Sequence, residues 1–493
     1  MTLFYKSTRD SENVVSASQA ILQGLAVDGG LYVPTEIPET DLDFKHLANQ
    51  SYQEIAALIM QLFLPDFTQE ELYECINKAY DQKFDNQEIT PLVKVGDQYY
   101  LELFHGPTLA FKDIALSILP HLMKKAAQKN NMAKEIVILT ATSGDTGKSA
   151  MEGFADVKNT SIIVFYPESG VSPIQKKQMI TQKGENTFVT AIKGNFDDAQ
   201  RKVKELFNDA KLRSKMAENN KVFSSANSIN IGRLVPQIVY YVYAYTRLVK
   251  SGQIESGEEV NFSVPTGNFG DILAGFYAKK IGLPIRRLIC ASNQNNVLTE
   301  FFQTGNYDRN RPFYVTSSPS MDILVSSNLE RLLFYLTKED TVKTKQLMDD
   351  LNKRGNYKIT AEMKSALSDF FADFASEKET EQTIREVYEK ENYVIDPHTA
   401  VATCVANKYE EKMLPTIILS TASPYKFPQA VLQAINNEGE KAEGIAALNK
   451  LETFAEIPVP AAIEELENAE IKHNDKISAE EMTHYVEKVL NLK

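Results

Sequence analysis

The alternation of short buried strands with amphipathic helices constrains the fold of this chain more than any other feature. Six runs have the length and the β-branched or aromatic composition of buried strands, namely residues 135–140, 161–166, 187–192, 260–264, 287–290 and 416–420. Helical patterns lie between them, as in the run from Phe196 to Phe207, where apolar residues recur at helical spacing. Strands that alternate with helices form largely parallel sheets flanked by helices. The sequence therefore predicts an α/β fold, with a second α/β stretch that begins at Val260.

The length and the shifts in composition predict several structural units. At 493 residues the chain is longer than one ordinary domain. The predicted units are a helical N-terminal unit (1–92), a smaller α/β lobe (93–232), a larger α/β lobe (233–305 with 391–440), a charged helical insertion (306–390) and an acidic helical C-terminal arm (441–493). The insertion is predicted to be helical because it is poor in strand patterns.

Charge and cysteine content argue against several classes of protein. The chain has 53 basic and 66 acidic residues, a net charge of −13, which argues against nucleic acid and acidic membranes as partners. Its three cysteines show no CxxC spacing, and its six histidines show no metal-binding pattern. The sequence has no leader pattern at its start and no stretch of membrane-spanning length. We therefore expect a soluble cytoplasmic protein with no metal site and no disulfide framework.

Lys112 lies in the segment Phe104–Asp113, where a loop leads into a helical pattern. The spacing of the apolar residues that follow predicts that this lysine is in the first helical turn. The positive end of the helix dipole disfavours an ammonium there, and burial adds to the effect. Both favour the neutral amine, the form that condenses with an aldehyde. The alternative is a surface lysine that contacts its own loop.

The loop Thr140–Ser149 follows a predicted strand, at the edge where α/β sheets bind ligands. Its end, Gly147-Lys148-Ser149, has the sequence that closes a P-loop, but Thr142 stands where that motif needs a glycine. The hydroxyls of Thr142, Ser143 and Thr146, together with N–H groups of a helix start, suit a carboxylate equally well. Helix capping explains one such hydroxyl without any ligand.

Two further loops lie at predicted strand ends. In Pro265–Asp271 two glycines three residues apart precede a helix, so that backbone N–H groups can converge on a phosphate. Ser420–Pro424 offers hydroxyls to a ring nitrogen, although capping accounts for them as well. With Lys112, the three loops supply an amine, a phosphate cradle, an anion pocket and a partner for a ring nitrogen. Pyridoxal phosphate requires this set of its protein.

Specific motifs recur in one order over most of the chain. They are Tyr5–Arg9, Gly24–Ala26, Asp28–Leu31, His105–Thr108, Phe111–Asp113, Ala141–Gly147, Asn227–Arg233, Gly267–Gly270, Ser318–Ile323 and Asp396–Ala400. In these motifs the chain resembles the threonine synthases of the long microbial and fungal type. These belong to the tryptophan-synthase-β-like (fold type II) group of pyridoxal phosphate enzymes. The resemblance implies two open twisted, mostly parallel sheets flanked by helices, a helical N-terminal unit, a helical insertion, a mobile smaller lobe and a monomer.

The resemblance also implies a role for each candidate residue. Lys112 would be the catalytic residue and would bind pyridoxal 5′-phosphate covalently. The other cofactor contacts would come from Phe111, Asp145, Gly267, Asn268, Phe269, Gly270, Asp271 and Thr421. The substrate would contact Thr142, Ser143, Thr146, Asn227, Ser228 and Arg233. Phe111 would lie against the cofactor ring, Asp145 beside its phenolic oxygen and Thr421 at its pyridine nitrogen.

The implied reaction is that of a lyase which converts O-phospho-L-homoserine and water into L-threonine and phosphate, the last step of threonine biosynthesis. Lys112 would remove the Cα proton and then move protons at Cβ, so that phosphate leaves from Cγ. Water would add at Cβ, with the departing phosphate as its base. Closure of the lobe that carries Ser143 would exclude water until the elimination is complete.

Three alternatives have different consequences. Another fold type II lyase, a dehydratase, sulfhydrylase or phospho-lyase acting on a hydroxy- or phospho-amino acid, would use the same cofactor. The cluster 227–233 argues against it for substrates that carry no phosphate. A non-catalytic relative would have no need of Lys112, and a P-loop kinase would need the missing glycine. The sequence leaves open the roles of His105, His398 and Lys426.

Overall fold

The computed structural model describes residues 3–142, 144–168, 171, 173–194, 196–411, 413–436, 442, 444–455 and 457–493. The strands are β1 (Tyr5–Ser7), β2 (Val14–Val15), β3 (Tyr32–Pro34), β4 (Leu92–Val95), β5 (Gln98–Glu102), β6 (Glu135–Ala141), β7 (Thr160–Pro167), β8 (Thr187–Lys193), β9 (Lys221–Ser224), β10 (Val260–Pro265), β11 (Ile285–Ser292), β12 (Asn306–Asp308), β13 (Asn356–Lys358), β14 (Phe370–Phe374), β15 (Thr416–Ser420) and β16 (Lys476–Ser478). The helices of the first half are α1 (Ala17–Gln23), α2 (Phe44–Leu47), α3 (Tyr52–Phe63), α4 (Gln69–Ala79), α5 (Lys112–Lys129), α6 (Asp145–Phe154), α7 (Pro173–Ile180), α8 (Phe196–Asn208), α9 (Ala210–Glu218) and α10 (Ile231–Lys250). Those of the second half are α11 (Gly270–Lys280), α12 (Val297–Thr304), α13 (Leu329–Leu336), α14 (Thr341–Arg354), α15 (Ala361–Ser365), α16 (Glu377–Glu391), α17 (Pro397–Lys408), α18 (Pro428–Ile435), α19 (Ile445–Ala455), α20 (Ala461–Glu467) and α21 (Met482–Val489).

The larger sheet has the strand order β14-β11-β10-β15-β5-β4. Its neighbours are parallel except β4, which is antiparallel to β5. Successive residues of β11 join different cores, because side chains of a strand alternate between the two faces. Leu288 packs in the core that includes α10 and α11, whereas Ile289 packs in the core that includes α17. Both faces are therefore covered, as a parallel sheet requires.

The smaller sheet has the order β16-β8-β7-β6-β9, and all its pairs are parallel. Ile162 of β7 packs in the core that contains α5 and α6. The next residue, Ile163, packs in a separate core with α8 and α21. Two mostly parallel sheets flanked by helices are thus present, and the predicted fold class is confirmed.

The N-terminal unit consists of a small antiparallel sheet, β2-β1-β3, and the helices α1 to α4. Capping boxes start α3 at Ser51 and α4 at Thr68, each with a glutamate at the third helical position. The turn between these two helices contains Pro65 and Asp66. Helix α3 packs against α10 and α4 packs against α5, so this unit covers the two long helices that adjoin the sheets.

The strand pairings differ from the predicted structural units at three places. β4 and β5, from the segment assigned to the smaller lobe, pair in the larger sheet. β14, inside the predicted helical insertion, forms the edge of the larger sheet. β16 and α21, from the predicted C-terminal arm, extend the smaller sheet and its core. Short edge strands such as β16 have too few residues for a periodicity, so their partners are set by the tertiary fold.

Three further observations concern membrane-spanning helices, clusters of metal ligands and the cysteines. Over the residues that the structure describes, no helix has the combination of length and apolarity needed to cross a bilayer. Over the same residues there is no group of three or more His, Cys, Asp or Glu side chains suited to a metal ion. Cys75, Cys290 and Cys404 are buried free thiols.

His105 joins the N-terminal unit to the loop that leads into α5. Its Nδ1 lies 2.5 Å from Asp85 Oδ1, and its Nε2 lies 2.8 Å from Glu102 Oε2. Burial alone would lower the pKa of His105, but the two carboxylates outweigh it and raise the pKa from 6.5 to about 9. Since the folded-state pKa is the higher one, this stabilisation is fully present below pH 6.5 and is lost as the pH rises through 9.

We expect the free energy of unfolding to fall by about 1 kcal/mol more between neutral pH and pH 9 in the wild type than in H105Q. The glutamine cannot carry the charge that binds both carboxylates. Urea unfolding at a series of pH values measures the difference. Parallel pH curves for the two proteins would show that the His105 charge does not stabilise the fold.

Candidate active site

Lys112 is the first residue of α5, where a bridge between Ala110 and Ala422 brings the loop beside the end of β15. The Lys112 side chain is largely buried. Its Nζ lies 3.3 Å from Asp145 Oδ2 and 3.3 Å from Ser320 Oγ. It also lies 4.9 Å from the centroid of the Phe111 ring. The structure thus places the amine where segments from both sheets meet.

The surroundings of Lys112 favour its neutral form. Burial lowers the pKa of Lys112, and repulsion from Lys426 and Arg233 adds to the effect, while Asp145 opposes it. The net direction is downward. The unprotonated amine is the nucleophile that attacks a carbonyl carbon, so the surroundings of Lys112 favour its reactive form.

Asp145 is the first residue of α6 and is buried. Its Oδ1 lies 2.8 Å from Lys426 Nζ and accepts a hydrogen bond of 3.0 Å from Gln175 Nε2. Burial would raise the pKa of Asp145, but Lys426 and then Lys112 reverse the effect and hold the pKa well below its ordinary value. Asp145 is therefore an ionised carboxylate beside the amine of Lys112.

The loop Pro265–Asp271, called the cradle below, connects β10 to α11. Phe269, the residue before the helix, has a left-handed backbone with φ of 64°, and no side chain caps α11. The first N–H groups of α11 are thus left for an external acceptor. The carbonyl of Asn268 points elsewhere, since it accepts from the backbone N and the Nδ2 of Asn328, both at 3.0 Å.

The carboxylate of Asp271 is directed at α10. Its Oδ1 accepts hydrogen bonds from Tyr240 at 2.5 Å and Tyr241 at 3.0 Å. Its Oδ2 is buried and has no hydrogen-bond partner among the described residues. Burial raises the pKa of Asp271 to about 6. Asp271 is one of the residues predicted to contact the cofactor. Its backbone N–H belongs to the cradle, whereas its side chain binds α10.

Thr421 and Thr142 each follow directly after a strand, one in the larger sheet and one in the smaller sheet. Thr421 is buried at the end of β15, and its carbonyl accepts the backbone N–H of Phe111 at 2.9 Å. Thr142 Oγ1 accepts from the backbone N of Gly144 and of Gly147, both at 3.1 Å. Thr142 therefore caps the turn before α6, the alternative that the sequence offered. Ser143 lies outside the described residues.

Arg233 stands in the first turns of α10 and is buried. Its Nη1 donates to the carbonyl of Ala226 at 3.0 Å, and its Nε has no hydrogen-bond partner among the described residues. Burial lowers the pKa of Arg233 to about 10. The described part of the chain offers this guanidinium no carboxylate. A buried cation without a counterion is costly, so its retention indicates a site for an anion.

The remaining candidates surround Arg233 and the start of α6. Asn227 is exposed, and its Oδ1 lies 3.4 Å from Thr140 Oγ1. Ser228 Oγ lies 3.3 Å from Asn328 Nδ2, which links it to the cradle. Thr146 is half-buried in the first turn of α6.

Several residues of the site had no role in the sequence-based prediction. Ser320 contacts Lys112, and its backbone N donates to His398 Nε2 at 3.2 Å. The other ring nitrogen of His398 lies 2.6 Å from Asp396, so this pair holds the Ser320 turn. Lys426 binds Asp145. The motif around Ser320 was a detectable signal, but nothing local in the sequence indicates that it reaches Lys112.

Comparisons with known proteins identify the family. The family described as threonine synthase N terminus matches residues 4–80, pyridoxal-phosphate dependent enzyme matches 85–417, and threonine synthase, C-terminal matches 399–479. The chain belongs to the threonine synthase family. The threonine synthase of Saccharomyces cerevisiae is 39% identical over 466 residues, which are 88% of this chain and 89% of that protein.

Two further relatives extend the comparison. The PLP-bound threonine synthase of Brucella melitensis superposes with a TM-score of 0.88 at 36% identity, over 99% of both chains. Human threonine synthase-like 1 is 42% identical over 442 residues, which are 86% of this chain. The present chain spans 59% of the length of that human protein.

The cofactor of the family is pyridoxal 5′-phosphate, and the described residues fit it. Uncapped N–H groups at the start of α11 suit the phosphate. Lys112 suits the aldehyde. Phe111 and Thr421 are joined by a backbone hydrogen bond next to the Ala110–Ala422 bridge, and Lys112 follows Phe111 directly. Gly267 is required where the cradle meets the Ser320 turn, because a Cβ there would lie 2.7 Å from the Ser320 carbonyl oxygen.

We expect G267A to lower the affinity for pyridoxal phosphate by about tenfold or more. The added methyl group meets backbone atoms of Ser320 and Met321, which have to move and thereby displace the cradle. Titration of protein fluorescence with the cofactor measures the affinity, and circular dichroism checks that the fold is kept. An unchanged affinity in a folded G267A protein would show that the loop accommodates the added methyl group without displacing the cradle.

Proposed function

We propose that this chain is a threonine synthase that converts O-phospho-L-homoserine and water into L-threonine and phosphate. The observation that carries the proposal is Arg233, a buried guanidinium with a free Nε and no carboxylate partner among the described residues. It is near enough to Lys112 to lower the pKa of that amine. A phosphate on the substrate suits the planar fork of arginine, and a substrate without phosphate would leave it unpaired.

We propose that the following groups bind the cofactor. The backbone of Gly267, Asn268, Phe269, Gly270 and Asp271 would cradle the phosphate of pyridoxal phosphate. Phe111 would lie against the ring, and the hydroxyl of Thr421 would meet the pyridine nitrogen. Asp145, an ionised carboxylate 3.3 Å from Lys112 Nζ, would lie beside the phenolic oxygen. Phe111 and Asp145 contact Lys112, which supports their assignment, and the others follow the resemblance to the family.

The start of α6 would bind the substrate carboxylate. The positive end of the helix and its free N–H groups suit an anion. Thr142 would shape this turn, because its hydroxyl bonds the backbone of Gly144 and Gly147. Ser143 and Thr146 would provide the direct hydroxyl contacts. Asn227 and Ser228 would assist Arg233 at the substrate phosphate.

Bound pyridoxal phosphate withdraws electrons from the substrate and so makes its Cα and Cβ protons removable. Lys112, released as a neutral amine, would take a proton from Cα and then one from Cβ, and it would return protons to Cγ once phosphate has left and to Cα at the end. Arg233 would hold the phosphate while it leaves from Cγ. Both ring nitrogens of His105 face carboxylates. One ring nitrogen of His398 faces Asp396 and the other accepts from the backbone N of Ser320, so neither histidine has a nitrogen free to activate water. The departing phosphate would therefore deprotonate the water that adds at Cβ.

The test is to mix the purified protein with O-phospho-L-homoserine and to follow phosphate and threonine together. Equal release of both supports the proposal. Phosphate released with a keto acid in place of threonine would indicate a phospho-lyase. A yellow protein that ignores this substrate and deaminates serine or threonine would indicate a dehydratase instead.

We further propose that the protein is a cytoplasmic monomer. Free buried thiols at Cys75, Cys290 and Cys404 support a reducing compartment. The contacts of Asp145 with Lys112 and Lys426 form within one chain, which supports the monomer. Size-exclusion chromatography with light scattering should give the mass of one chain. A mass of two chains that persists on dilution would overturn the monomer.

A further inference from the structure

Lys426 is a second lysine at the centre of the site. Its side chain is fully buried, and its Nζ lies 2.8 Å from Asp145 Oδ1 and donates to the Thr108 carbonyl at 2.7 Å. Lys112 Nζ faces the other oxygen of the same carboxylate at 3.3 Å. Asp145 is thus shared by two lysine nitrogens, and the shorter contact belongs to Lys426.

Sharing matters because Lys112 has to give up its charge. Its amine reacts only when neutral, and it takes up and returns protons during turnover. Without Lys426, a neutral Lys112 would leave Asp145 with two side-chain donors among the described residues, Gln175 and Ser320, the latter at 3.4 Å. A buried carboxylate without a cation either takes a proton or costs several kcal/mol.

We propose that Lys426 is a positioning residue, the permanent counterion that keeps Asp145 ionised and in place while Lys112 cycles between its charged and neutral forms. Lys426 follows β15 of the larger sheet, whereas Asp145 starts α6 after β6 of the smaller sheet. The pair therefore also fixes the start of α6 beside Lys112 across the two sheets. The inference rests on Lys112 as the cofactor lysine and not on the identity of the substrate.

The other charges around Lys112 do not replace Lys426. Arg233 repels the ammonium of Lys112 as Lys426 does, but it makes no ion pair with Asp145 among the described residues. Asp271 is bound by two tyrosines. Asp113 is bound by the backbone N of Thr108 at 2.8 Å. Lys426 is thus the cation that contacts Asp145 whatever the state of Lys112.

The test uses the full-chain holoenzyme without an amino acid substrate, as wild type, K426M, D145N and the double variant. The measured quantity is the pH at which the visible absorbance of the bound cofactor changes, which reports protonation at the Lys112 nitrogen. When Lys426 no longer carries a charge, Lys112 is the lysine that remains beside the Asp145 carboxylate, so the protonated form of the Lys112 nitrogen is favoured. We expect K426M to move the transition upward by about one pH unit or more. In the D145N background the same change should move it by less than half as much.

Thermal unfolding of the same four proteins provides a second measurement. K426M should melt lower than the wild type, and D145N/K426M should recover part of the loss, since it has no unpaired buried carboxylate. K279M is the matched control, because Lys279 pairs with Asp369 at 2.8 Å away from the site and its loss should not move the absorbance transition. If K426M does not fold, K426Q replaces it in both backgrounds.

Two results would overturn the inference. One is an absorbance transition at the same pH in K426M and the wild type. The other is an equal effect of K426M with and without the Asp145 charge, which is the behaviour of a lysine that repels Lys112 directly and does not act through Asp145. A failure to convert O-phospho-L-homoserine would leave these measurements unaffected, so the proposed function and this inference fail separately.

Discussion

Replacing Lys112 with alanine is expected to abolish covalent capture of pyridoxal phosphate and to lower the rate of threonine formation by at least about 10³-fold. Lys112 is the amine that faces Asp145 and Ser320 at the end of β15. Its loss would remove both the proposed attachment point of the cofactor and the group proposed to move protons at Cα and Cβ. Borohydride reduction followed by peptide mass analysis detects the attachment. Coupled assays of phosphate and threonine measure the rate.

The matched control for this substitution is K124A, a change of the same chemistry on the same helix, away from the site. It should keep both the attachment and the rate. A small added amine should restore part of the activity of K112A, because it can take the vacant place as a proton carrier. Turnover by K112A near the wild-type rate, or attachment at another lysine, would show that the catalytic amine is elsewhere.

Local sequence patterns were sufficient to predict the elements that carry the site. The helical spacing after Lys112 predicted it in the first turn, and α5 begins at that residue. The glycine spacing of Pro265–Asp271 predicted a strand-to-helix turn, which is the connection of β10 to α11. Such features depend on neighbouring residues, so a local pattern contains them.

The partners of Lys112 could not be predicted in the same way. Ser320 is 208 residues from Lys112 in sequence, and Lys426 is 318 residues from Thr108, whose carbonyl it binds. These contacts depend on how the two sheets approach each other. A buried lysine and a surface lysine look alike in a sequence, so the role of Lys426 became visible only with its surroundings.

The hydroxyl of Thr142 illustrates a different limit. The sequence allowed either a helix cap or a ligand contact at this position, and both use the same atom. In the structure the hydroxyl bonds the backbone of Gly144 and Gly147. Asp271 is similar, because its carboxylate binds two tyrosines of α10 while its N–H belongs to the cradle. The direction of a side chain is set by packing, which a motif does not encode.

Replacing Arg233 with methionine is expected to change activity and stability in opposite directions. The guanidinium is buried, its Nε has no hydrogen-bond partner in the part of the chain that the structure describes, and its Nη1 donates to one carbonyl. Removing it takes away the cation proposed to hold the substrate phosphate, so we expect kcat/KM to fall by about 10²-fold or more. Removing an unpaired buried charge should raise the melting temperature by a few degrees. Steady-state kinetics and thermal unfolding of the cofactor-loaded protein measure the two effects.

Arg331 provides the comparison for this prediction, because it is also a fully buried arginine. Its three nitrogens all have partners, namely the carbonyls of Tyr32 and Ile229 and the side-chain oxygen of Asn328. R331M should therefore melt lower than the wild type, since it leaves those acceptors unpaired. Inorganic phosphate should raise the melting temperature of the wild type but not of R233M. A lower melting temperature in R233M, with phosphate still stabilising it, would mean that Arg233 supports the fold and that the phosphate binds elsewhere.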